Sequence, residues 1–72
     1  MGVYTLIIST AEGSQHTTLS DFATDAQAVE DVGVFVSADH PSVAVARDVG
    51  DCAEFLGAWD FNDGVKAWTP DA

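Results

Sequence analysis

Basic residues are almost missing from this sequence. Arg47 and Lys66 stand against twelve Asp and Glu, which gives a formal net charge of -10 over 72 residues. No basic residue precedes Arg47. This scarcity excludes the basic stripe that direct nucleic-acid binding requires. It also excludes attraction to an anionic membrane surface. Cys52 is the single cysteine, so no internal disulfide forms, which suits a reducing compartment. The apolar runs are too short to span a bilayer. The N-terminal stretch has no basic region followed by an apolar run, so it does not read as a signal peptide. A cytoplasmic protein is expected.

What is present describes one small domain, residues 1–72. The apolar content of 47% is ordinary for a folded chain, so the charge does not imply disorder. The acids are spread along the chain rather than gathered in a tail. The expectation is a folded, negative surface that attracts basic proteins. Asp outnumbers Glu and Lys is nearly absent, and a salt-adapted proteome has the same composition. Both explanations stay open at this point.

The chain is organised around Thr24–Asp39, TDAQAVEDVGVFVSAD, which reads as its helix. Thr24 suits an N-cap, and Gln27 completes a capping-box pattern. Asp25, Glu30 and Asp31 place negative charge toward the helix start. Ala28, Val29, Val32, Phe35 and Val36 share one apolar face on a 3.6-residue wheel. His40-Pro41 stops the helix.

Strands are predicted on both sides. Val3–Thr10 is β-branched and aromatic, with Tyr4, Leu6 and Ile8 on one face. Glu12-Gly13 makes a turn, and Gln15–Leu19 pairs back as a short strand. After Pro41, Ser42–Asp48 alternates as a strand, and Val49-Gly50-Asp51 turns into Cys52–Phe61. There Phe55, Trp59 and Phe61 share a face, with Gly57 leaving room for a large neighbour such as Phe35. Asn62-Asp63-Gly64 reads as a three-residue hairpin loop. This register sets Phe61 opposite Val65, Asp60 opposite Lys66 and Trp59 opposite Ala67. The fold class is therefore α+β, a single helix packed on one face of a small antiparallel sheet, in the order β(β)αβββ. The open face is expected to carry Glu54, Asp60, Lys66 and Trp68.

Catalytic and metal-binding patterns are poorly matched. DFNDG at Asp60–Gly64 is one residue short of a calcium loop, and strands flank it instead of helices. His16 and His40 lie far apart, with no CxxC or HxxxH. Cys52 has no basic neighbour in sequence to lower its pKa. There is no G-x-S-x-G elbow and no phosphate loop. The expectation is a protein with no enzymatic activity and no cofactor.

Carboxylates on a rigid scaffold can instead imitate phosphates, which lie roughly 3.4 Å apart along each duplex strand. Two acidic patches qualify. One joins Glu30 and Asp31 on the helix, with Asp21 and Asp25 near its start. The other spans the hairpins, with Asp48, Asp51, Glu54, Asp60 and Asp63. Val34 sits beside Glu30, and Trp68 is expected to face outward near Asp60. Buried apolar side chains supply affinity where charge guides the approach. A lone exposed valine is also ordinary, and Trp68 could instead fold over the sheet edge.

In size, charge and element order the chain resembles the small acidic anti-CRISPR proteins of phages. The stretch Phe55–Thr69, with DFNDGVKAW, carries the most local likeness. The resemblance implies a DNA-mimic inhibitor that blocks the DNA or RNA site of a CRISPR effector. It assigns no role to any residue. Some members with this element order use basic residues, and this chain has almost none. The alternative is an ordinary acidic α+β domain with a structural role, which dimerises through its open sheet face.

Overall fold

A computed structural model describes residues 2–71. It is a small α+β fold of one helix and a five-stranded antiparallel sheet. Along the chain come β1 (Gly2–Ser9), β2 (Gln15–Phe22), α1 (Asp25–Phe35), β3 (Ser42–Asp48), β4 (Ala53–Asn62) and β5 (Val65–Pro70). The sheet order is β2-β1-β3-β4-β5. The chain leaves edge strand β2, passes through α1, and returns as β3 on the far side of β1. Among the described residues no helix is long and apolar enough to cross a membrane.

The core forms where alternate strand residues meet the helix. Tyr4 and Leu6 of β1 and Val43 and Val45 of β3 cluster with Ala28, Val32 and Val36. Val36, Val43 and Val45 are fully buried, and each such valine stabilises the fold by about 1.5–3 kcal/mol. The opposite sheet face carries Thr5 and Ile7 of β1, Ala44 and Ala46 of β3, and Phe55 and Ala58 of β4, as the pairing register dictates.

Local chemistry sets the helix ends. The Thr24 hydroxyl accepts the Gln27 amide at 3.1 Å, the N-cap bond anticipated for that residue. The C-terminal end differs from expectation. Val36 already has extended backbone, φ -65 and ψ 132, so the helix stops at Phe35 and not at Asp39. Ser37 and His40 then exchange backbone hydrogen bonds in a turn. That turn, four residues ahead of Pro41, ends the helix earlier than the proline requires.

Two further expectations are corrected in the sheet. The β4–β5 hairpin turns on two residues, with Asn62 opposite Val65, Phe61 opposite Lys66 and Trp59 opposite Trp68. Asp63 and Gly64 both have positive φ, 52° and 81°, as a type I′ turn demands. The register between β3 and β4 also shifts at Val45/Ala46, where Val45 faces Gly57 and Ala46 faces Phe55. One extra residue, Leu56, is thereby inserted, and a bulge of this kind swaps the faces of what precedes it. Phe55 consequently lies on the opposite face from Trp59, and Glu54 joins the helix side.

Candidate partner-binding surface

The helix-side aromatic cluster decides where Trp68 goes. Trp59 donates its indole N–H to the Val29 carbonyl at 2.8 Å. Its ring lies against Gly33, where an added Cβ would stand 2.6 Å from the ring. Trp68, paired with Trp59, stacks on it at a tilted 5.7 Å between centroids. Gly57 gives the space for this, at φ 150, with Trp68 and the Thr69 carbonyl where a Cβ would be. The large neighbour of Gly57 is therefore Trp68 and not Phe35. Trp68 is half-buried on the helix side, so it is not an outward anchor. Lys66 follows it to the same side and donates to the Gly33 carbonyl at 3.0 Å. Its charge satisfies a carbonyl in the last helical turn, where cations are favoured.

Arg47 is committed in the same way. Its guanidinium bonds Asp25 at 2.8 Å and Glu54 at 3.1 Å. The other Asp25 oxygen accepts the Tyr4 hydroxyl. The bond to Glu54 and then the charge of Asp25 push the Arg47 pKa up. The hydrogen bond to Asp25, then burial, then the Asp25 charge push the Tyr4 hydroxyl above its ordinary range. Asp25 thus ties α1 to β1 and β3, and Arg47 reaches on to β4. Each cationic side chain is bonded within the chain, although Lys66 stays exposed, and among the described residues every carboxylate residue except Asp25 is exposed.

The acidic residues singled out from the sequence fall into three groups. Glu30 and Asp31 are exposed on α1, with Gln27 donating to both Asp31 oxygens at 3.0 Å. Val34 lies one turn on and is 78% exposed, so it shares this patch. At one end of the sheet sit Asp48, Asp51 and Glu54 around the β3–β4 turn, with Asp21 and Asp25 nearby. Thr5 donates to Asp48 at 3.2 Å. Asp60 and Asp63 belong to the other end. Glu54 and Asp60 are six positions apart along β4, roughly 20 Å at strand rise. The single hairpin patch expected from sequence is therefore two patches.

A groove that periodicity did not reveal runs between α1 and the β1–β2 pair. It has a volume of about 320 Å³ and is lined by Leu6, Ile8, Phe22, Val32 and Phe35, with Asp31 at its side. Phe35 is half-exposed and stacks on His40 at 4.6 Å. Cys52 is exposed and free. Among the described residues no three His, Cys, Asp or Glu side chains converge as a metal site. No protein-family model, curated protein or solved structure matches the chain.

Proposed function

We propose that this chain is a small cytoplasmic inhibitor without catalytic activity. It binds a basic, nucleic-acid-handling protein and occludes its DNA or RNA groove, with a CRISPR effector as the kind of partner meant. The proposal takes α1 to cover one face of the sheet, in the order β(β)αβββ, as a rigid support for the carboxylates. The observation that carries it is the internal use of both cations. Arg47 is held by Asp25 and Glu54, and Lys66 by the Gly33 carbonyl. Among the described residues no Lys or Arg is without such an internal bond, and the net charge of -10 favours a basic partner.

Within this reading Glu30, Asp31 and Val34 form the first contact surface. Asp48, Asp51 and Glu54 form the second, and Asp60 and Asp63 the third. Val34 is the apolar anchor in place of Trp68. Displacement of a labelled duplex from the effector tests the proposal. Inhibition requires the protein to raise the free-duplex fraction at low salt. A duplex that stays bound at saturating protein contradicts it.

A second reading has its own observation. The sheet face opposite the core exposes apolar residues, with Leu19 at 63% and Phe55 at 50%. That face would dimerise in an ordinary acidic structural domain. Sedimentation separates the two, since a dimer broken by Phe55→Lys supports the structural role.

A further inference from the structure

Edge strands must be protected from stray pairing, and the two edges of this sheet differ in that respect. The β5 edge is six residues long and carries Lys66 and Pro70, devices that discourage strand addition. The β2 edge is eight residues of QHTTLSDF, with no lysine, no proline and no register break against β1. Its outer row can be identified from the hairpin. The Thr10 amide donates to the Ser14 carbonyl at 2.8 Å, so Thr10 and Ser14 form a hydrogen-bonded pair. Antiparallel pairs alternate, so His16, Thr18 and Ser20 bond to β1. Thr17, Leu19 and Asp21 then turn their N–H and C=O groups away from the sheet.

Two features beside this edge fit an extended ligand. The groove continues from β2, whose Thr18 and Ser20 help to line it. An added strand would place every second side chain on that side, within reach of Phe22 and Phe35. The surroundings are uniformly anionic. Asp21 lies on β2, Asp31 borders the groove, and Glu12 and Asp39 line a hollow with His16 at the far end. No Lys or Arg occurs in β1, β2 or α1. Two copies of a chain of charge -10 repel each other, so charge favours a cationic segment over a second copy.

We propose that the outer edge of β2 and its groove add an extended lysine- or arginine-bearing segment of the basic partner as a further strand. Backbone pairing supplies the affinity, and the flanking carboxylates select the sign of charge. This rests on the basic-partner reading above and names the part of the surface that grips.

The test uses the intact chain and three peptides as long as β2. One alternates valine and lysine, the second is the same peptide N-methylated at every residue so that neither edge can donate, and the third alternates valine and glutamate. Amide exchange is followed at Thr17, Leu19 and Asp21. The lysine peptide is expected to slow exchange there roughly tenfold at about ten times its Kd. Thr17→Pro, which deletes an outward N–H, and Thr17→Lys, which keeps the backbone donor and adds a repelling cation, are each expected to remove the protection. Equal protection by the N-methylated peptide overturns strand addition and leaves the charge reading standing. Equal protection by the glutamate peptide overturns the basic-partner reading and leaves the edge. A homodimer that Thr17→Lys dissolves overturns the proposal, because a second copy is then the occupant.

Discussion

Asp25 makes its two bonds to groups that differ in what pH does to them. Arg47 stays charged throughout, while Tyr4 can lose its proton. The Asp25 bond raises the Tyr4 pKa above its ordinary value of 10.0. A raised folded-state pKa means that the contribution is fully present below the unfolded value. It is lost as pH rises through the higher folded value. Tyr4→Phe is therefore expected to lower the melting temperature at neutral pH. Tyr4 is the only tyrosine, so the gap between variant and parent should close above about pH 10. Thermal melts across that range check it, and a gap that persists contradicts the bond. Gly33 is the second informative residue. Alanine there gains about 1 kcal/mol of helix propensity. Its Cβ would press to 2.6 Å from the Trp59 ring, which is held by Val29 and Trp68. Overpacking costs about 1–3 kcal/mol, so a net loss near 1 kcal/mol is expected by denaturant titration.

Elements were legible where one local signal dominated. β1, β3 and the start of α1 follow from alternation and from Thr24, and Thr24→Ala is expected to cost about 1 kcal/mol by the same titration. The length of β2 was not legible. It runs to Phe22 instead of Leu19, because Ser20 and Asp21 have weak strand propensity and pair through β1. The β4–β5 register differs from the expected one for a physical reason. Pairing Asp60 with Lys66 looked better when only the two strands were weighed. Lys66 finds its partner on α1 instead, and Trp68 finds Trp59, contacts that no two-strand comparison contains. The bulge at Leu56 is equally silent in sequence, since a one-residue slip leaves composition untouched while it exchanges Phe55 and Glu54 between faces. The acidic patches were legible as residues but not as places. Glu30, Asp31 and Val34 stay together because a helix keeps i, i+3 and i+4 neighbours adjacent. Asp48, Asp51 and Glu54 part from Asp60 and Asp63 because β4 is long.

At the scale of the whole molecule the charge is one-sided because twelve acids meet only two cations, each of which is bonded within the chain. Neutralising Glu30 and Asp31 together, as Glu30→Gln with Asp31→Asn, is expected to weaken partner binding roughly two- to fivefold at low salt. The fold should tolerate it, since both side chains are exposed. Val34→Ala should weaken binding with little dependence on salt, because its contribution is apolar. On the proposed function, exposed carboxylates hold a basic partner. The most direct test of this is the Kd for a CRISPR effector, the proposed kind of partner, measured along a sodium chloride series. Screening shortens from about 10 Å at 0.1 M to about 3 Å at 1 M salt, so a steep, continuous loss of affinity is expected. A Kd that stays constant across the series would contradict it.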